Sequence, residues 1–203
     1  MANTASNPSQ PAGAARPGHS KLLRLIAMVL LSLVVLVGIA VLITWLVIRP
    51  RRLVYTVEDG SIHNFNMNNN HLNASFDFVV RSYNPNSRVS VYYDAIEASV
   101  RYEDQTVAYS VVDPFLQPHR NVTRLEVKLT AQYVALMGSA SRDLRREKWA
   151  GEIEFAVFLK AKIRFKVGSF KSKHRTLRIW CSPVMVPTSP SKKFERTYCD
   201  PEI

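Results

Sequence analysis

The chain changes pattern near residue 50. Before that point, Leu25–Ile48 (LIAMVLLSLVVLVGIAVLITWLVI) is a run of 24 residues without a charge, in which only Ser32, Thr44 and the Trp45 indole can hydrogen-bond. As a helix it spans ~36 Å at 1.5 Å per residue, enough to cross a ~30 Å hydrocarbon core with some tilt. Helix is the form lipid imposes, because a backbone amide there finds no water. A core helix of this length normally carries a polar stripe, and this one has none. Trp45 falls at one end, where an indole favours the headgroup region. The pattern therefore predicts a transmembrane segment that stays attached, since it is too long for the apolar core of a cleaved signal and lacks an Ala-x-Ala exit.

After residue 52 the period becomes two. Leu72, Ala74, Phe76, Phe78 and Val80 alternate with more polar neighbours, which predicts a half-buried strand. Strands are also predicted at 53–57, 89–100, 105–112, 125–129 and 176–186, with Asn84-Pro85-Asn86 as a turn. The longest alternation lies in 151–168, where Phe155, Val157, Leu159, Ile163 and Phe165 share the face expected to point inward. Residues 133–148 change period and predict a short helix, while the Asn-rich stretch 64–70 reads as a loop. The fold class that follows is an antiparallel β-sandwich of immunoglobulin or fibronectin type with one short helix, behind one transmembrane helix. The expected organisation is a disordered tail at 1–24, an anchor at 25–48, a β-sandwich at 49–186 and an irregular tail at 187–203.

Charge alters this picture in two places. The net charge of +11 is carried partly by Arg16, Lys21, Arg24, Arg49, Arg51 and Arg52 around the apolar run, with no acid before residue 58. Such residues suit anionic headgroups, so the lipid bilayer is the first expected partner and nucleic acid is disfavoured. Three basic residues flank each side, so charge does not fix the topology. The second place is 142–178, with twelve basic residues against four acids. There Lys160, Lys162, Arg164 and Lys166 line the outer face of one strand, and they form either a binding face for an anionic surface or an ordinary solvated sheet.

Two sequons, Asn73-Ala74-Ser75 and Asn121-Val122-Thr123, lie beyond the apolar run, making Asn73 and Asn121 candidate glycosylation sites. Cys181 and Cys199 lie beyond it too, and either pair in an oxidising compartment or remain two buried thiols. Together these favour a cytoplasmic tail and an exported domain. No Gly-rich phosphate loop, nucleophile elbow or His-Glu-x-x-His occurs, and the histidines have no partner at ligand spacing. The reading is a protein without catalytic residues, metal or cofactor.

Three strings carry a resemblance: Ser82-Tyr83-Asn84-Pro85-Asn86-Ser87-Arg88-Val89-Ser90-Val91-Tyr92-Tyr93-Asp94, Trp180-Cys181-Ser182-Pro183, and Phe194-Glu195-Arg196-Thr197-Tyr198-Cys199-Asp200. With the single membrane helix they resemble the plant NHL family, the harpin-induced and non-race-specific disease resistance-like proteins, over residues 20–203. The domain is similar to the type 2 late-embryogenesis-abundant fold, also called the water-stress and hypersensitive-response domain. The resemblance implies a plasma-membrane protein of defence and stress responses that acts by binding. The basic face, not the resemblance, gives the expected partner: an acidic cell-wall polysaccharide or an acidic membrane protein reached through Lys160, Lys162, Arg164 and Lys166, with homo- or hetero-oligomers also in view. The alternative is a dehydration protectant of membranes or proteins. Asn84, Pro85, Asn86, Tyr92, Tyr93 and Asp94 match the family motif, and the bottom-up expectation for them is a structural turn.

Overall fold

A computed structural model describes residues 18–48 and 51–203, with side chains described for 21–43 and 51–203. The disorder expected of 1–17, the Arg49 charge and the Trp45 side chain lie outside these residues. Helix α1, Gly18–Ile48, is 31 residues long. It begins at Gly18 rather than Leu25, so the end of the expected tail is helical. Lys21, Leu22, Leu23 and Arg24 are good helix formers, and no Gly or Pro interrupts the chain until Gly38. Lys21–Ile43 is long and apolar enough to cross a membrane, and its large apolar side chains are exposed.

The second unit begins at Pro50 and is built of strands. In chain order they are β1 (Val54–Asn68), β2 (His71–Tyr83), β3 (Val89–Tyr102), β4 (Gln105–Val112), β5 (Phe115–Gln117) and β6 (Val122–Ala135). Helix α2 (Ala140–Ala150) follows, then β7 (Glu152–Val167), β8 (Phe170–Lys171), β9 (Arg175–Pro187) and β10 (Thr197–Glu202). Every pairing is antiparallel. The order β3-β4-β6-β2-β1-β10-β9-β7 closes on itself because β7 also pairs with β3. Three seams in this ring are narrow: β4 meets β6 only at Tyr109 and Thr130, β1 meets β10 from Tyr55–Cys199 to Val57–Thr197, and β10 meets β9 from Asp200–Trp180 to Glu202–Arg178. The result is a sandwich joined along both edges.

Alternation explains the core. Leu72, Ala74, Phe76, Phe78 and Val80 of β2 are all buried, as are Phe155, Val157, Leu159 and Ile163 of β7, with Phe165 half-buried at its end. Phe155 meets Phe76 edge-on at 5.3 Å between centroids and Tyr102 at 5.8 Å. Turns follow residue chemistry: Asn69 and Asn70 take φ of +46° and +61°, the left-handed pair that a two-residue hairpin turn requires.

Three segments depart from the sequence reading. The Asn-rich stretch is not a loop, because β1 runs through it to Asn68, with a bulge between His63 and Asn66 where Asn64 takes φ +54°. The short helix starts at Ala140, since Tyr133–Ala135 still belongs to β6. The irregular tail contains β10, inserted between β1 and β9 with Asp200 opposite Trp180. Only Cys199 of β10 is buried, and Cys199 is bonded to Cys181 of β9. One buried residue in six leaves no period to read.

Candidate functional site

The Asn84–Asp94 block divides into an inward and an outward half. Asn84 is wholly buried, and its Nδ2 donates to the carbonyls of Val89 at 2.7 Å and Pro118 at 3.0 Å. Its Oδ1 accepts from the Asn86 N–H at 3.1 Å and the Asn86 Nδ2 at 3.0 Å. Every hydrogen-bonding position of that amide is occupied. Asn86 in turn reads the backbone of Arg51 as a neighbouring strand would. Its Oδ1 accepts from the Arg51 N–H at 2.7 Å, and its Nδ2 donates to the Arg51 carbonyl at 2.9 Å. The turn thus fastens the chain where it enters the sandwich.

Tyr93 points inward with Tyr55. Their hydroxyls lie 2.5 Å apart, and Tyr93 also donates to Gln117 Oε1 at 3.2 Å. Ser82 Oγ donates to the same oxygen at 3.0 Å, while Gln117 Nε2 donates to the Ser82 carbonyl at 2.8 Å. All four residues are buried. Burial pushes the Tyr55 hydroxyl well above its ordinary pKa and raises that of Tyr93. Gln117 and Ser82 carry no sequence signal of this role, because their partners are distant in the chain.

Tyr92 and Asp94 point outward. Arg164 grips Asp94 with Nε on Oδ2 at 2.7 Å and Nη2 on Oδ1 at 2.5 Å, and His174 Nε2 stands 3.4 Å from Oδ2. The hydrogen bond from Arg164 holds the Asp94 carboxyl below its usual range. Arg164 and Lys171 both lie over the Tyr92 ring, at 5.6 and 4.9 Å from its centroid.

The basic face of β7 is consequently less uniform than its sequence. Arg164 is committed to Asp94, and Lys160 lies 3.8 Å from Glu97 across the ladder. Among the described residues, no ion pair involves Lys162 or Lys166. Arg178 of β9 stands opposite Lys160, and Lys171 opposite Lys166. An ion cluster absent from the sequence reading surrounds Glu58, with Arg124 at 2.8 Å, Arg81 at 3.6 Å and Arg196 at 3.7 Å. It ties the segment before β10 to β1, β2 and β6.

The sequon asparagines are half-buried. Asn73 Oδ1 accepts from the Tyr133 N–H at 2.8 Å, and Asn121 Oδ1 accepts from Thr123 Oγ1 at 3.3 Å. No group of three or more His, Cys, Asp or Glu among the described residues is arranged to hold a metal ion.

A family model described as "Late embryogenesis abundant protein" matches residues 79–182, which includes Asn84–Asp94, β7 and Cys181. The chain is 44% identical over 179 residues to an uncharacterized protein of Arabidopsis thaliana, covering 86% of this chain and 80% of that one. It is 33% identical to NDR1/HIN1-like protein 10 of the same plant, covering 91% and 85%, and 36% identical to NDR1/HIN1-like protein 3, covering 85% and 77%.

Proposed function

Because the chain belongs to the NDR1/HIN1-like family and carries its late embryogenesis abundant domain, we propose that it is a plasma-membrane component of plant stress and defence that works by binding an anionic partner. The observation that carries this reading is where the polar groups go. Asn84, Asn86, Tyr93 and Gln117 are buried, and their polar groups are hydrogen-bonded inside the sandwich. What the domain turns outward is charge, on the β7 face and along α2. A positive surface held at a membrane concentrates an anionic partner at that surface, and the anchor multiplies the effect by raising local concentration.

In this reading α1 is a signal anchor, residues before it face the cytoplasm, and the sandwich is exported and carries glycans on Asn73 and Asn121. The sequons and the cysteine pair support that orientation. Glycosidase treatment of plant-expressed protein should increase its mobility, and Asn73→Gln with Asn121→Gln should remove the shift. Protection of both ends from protease outside intact cells refutes the orientation. For binding, reversal of Lys160, Lys162, Arg164 and Lys166 should weaken retention on a polyuronate matrix and blunt defence output. A folded quadruple variant that supports resistance like the parent shows the β7 face to be solvated sheet. A second reading, protection of membranes or proteins during dehydration, comes from the family resemblance. That reading requires the full chain to preserve vesicle integrity through drying, which the first does not.

A further inference from the structure

We infer that the groove beside α2 is a binding site for an acidic saccharide, a chain of uronate sugars; this rests on the anionic-partner reading above and adds to the β7 face a separate site that selects sugars. The groove is an open depression of about 590 Å³ lined by Phe65, Asn66, Met67, Arg145, Lys148 and Trp149. Its floor is fixed, since Phe65 and Met67 pack against the hydrophobic core. Its wall is the last turn of α2, which Gly151 ends in a left-handed conformation at φ +87° with its N–H on the carbonyls of Glu147 and Lys148. Leu144 and Ala140, buried, hold the other side of the helix. Arg145, Lys148 and Trp149 are spaced three and four apart and so stand on one flank.

Two features are unexplained by folding. Trp149 is 89% exposed, at a position where a small polar residue would serve the helix equally well. The cations beside it are also uncompensated by the helix's own acids. Asp143 pairs with Arg146, and Glu147 accepts from Tyr102 and from the Glu154 N–H on the opposite flank. Lys148 instead lies over the Phe65 ring at 4.1 Å, and Arg145 Nε contacts Met67 Sδ at 3.2 Å, so both are held at the rim.

An indole face, an amide and two cations around a shallow concavity match one ligand chemistry closely. The apolar C–H face of a pyranose stacks on Trp149, its hydroxyls meet the Asn66 amide, and carboxylates pair with Arg145 and Lys148. A neutral glycan leaves the cations idle, and an apolar ligand leaves them desolvated without partners.

The test uses the full chain in nanodiscs and an oligogalacturonate, with its methyl-esterified form and an oligo-glutamate of equal charge as competitors. The free acid should bind, the ester and the peptide should not compete, and binding should fall as salt rises. Trp149→Ala and Arg145→Gln with Lys148→Gln should each weaken it about tenfold or more with the melting temperature unchanged. If Lys162→Glu with Lys166→Glu removes binding and Trp149→Ala does not, the groove is not the site, although the anionic-partner reading stands. Equal competition by the peptide overturns the saccharide assignment. If the parent binds neither acidic probe, both readings fall.

Discussion

Asn84→Ala separates a structural turn from a ligand-binding motif. The side chain is fully buried and makes four hydrogen bonds, to two carbonyls and to the N–H and amide of Asn86. Truncation orphans the Val89 and Pro118 carbonyls and the Asn86 N–H. Each buried group left without a partner costs ~1–3 kcal/mol, and a water filling the vacated volume recovers part of it. A net loss of ~3–5 kcal/mol follows, against a total stability of ~5–15 kcal/mol for a domain. At ~2–4 °C per kcal/mol the melting temperature should drop by roughly 6–20 °C. Asn84→Asp should be worse at neutral pH, because a carboxylate then faces two carbonyls. It should recover as pH falls, since protonation restores one donor. Urea titrations at several pH values measure both. An Asn84→Ala protein that unfolds within ~1 kcal/mol of the parent would sink the structural account, and a specific loss of partner binding at unchanged stability would move the motif into the binding surface.

Phe155→Ala removes a ring packed between Phe76 and Tyr102 and should cost ~3–5 kcal/mol in denaturant; a near-parent midpoint would mean the β7 parity is wrong. The Cys181–Cys199 bond closes a separation of 18 residues, so Cys199→Ser should cost ~3 kcal/mol, and two free thiols in unreduced, denatured protein would exclude the bond. The raised pKa values of Tyr55 and Tyr93 mean that the fold keeps both phenols neutral. Their contribution is present below the unfolded value of about 10 and is lost as pH climbs through it towards the folded values, so Tyr55→Phe should flatten the alkaline limb of a stability–pH profile. The lowered values of Asp94 and Glu58 act oppositely: their contribution is present above the unfolded range and is lost as pH falls through the folded values, which Asp94→Asn should attenuate.

Most of the fold was legible because β2 and β7 each bury one face along most of their length. Where a single side chain is buried, as with Cys199 in β10, period carries no information and only the partner strands decide. The Asn-rich half of β1 failed for a different reason. Asparagine disfavours strands, yet it is also the residue that tolerates positive φ, so Asn64, Asn69 and Asn70 serve a bulge and a turn within a continuing hairpin.

The outward chemistry was less legible, since register decides which charges remain. Lys160, Lys162, Arg164 and Lys166 look equivalent along β7, but β3 places Glu97 against the first and Asp94 against the third. The signal for that pairing is nevertheless in the sequence of β3. Val89, Val91 and Tyr93 are buried at odd positions, while Ile96, Ala98, Val100 and Tyr102 are buried at even ones. One face cannot hold both sets without an extra residue between them, and the β3–β7 ladder does slip between Tyr93 and Ala95. The bulge puts Asp94 and Ala95 both outward, restores the inward parity of Ile96 and beyond, and sets a carboxylate beside Arg164. Tyr92-Tyr93-Asp94 is thus one device with three parts: a ring under two cations, a buried phenol, and the acid that neutralises the strongest cation of the strip. Deleting Ala95 should therefore be tolerated by the core, because it removes the extra residue and leaves Ile96, Ala98, Val100 and Tyr102 inward, while it sets Asp94 opposite Lys162 instead of beside Arg164. The deletion variant should fold with the Asp94–Arg164 pair lost, Ala95→Ser should melt within a few degrees of the parent, and a deletion variant that fails to fold would refute this account of the bulge.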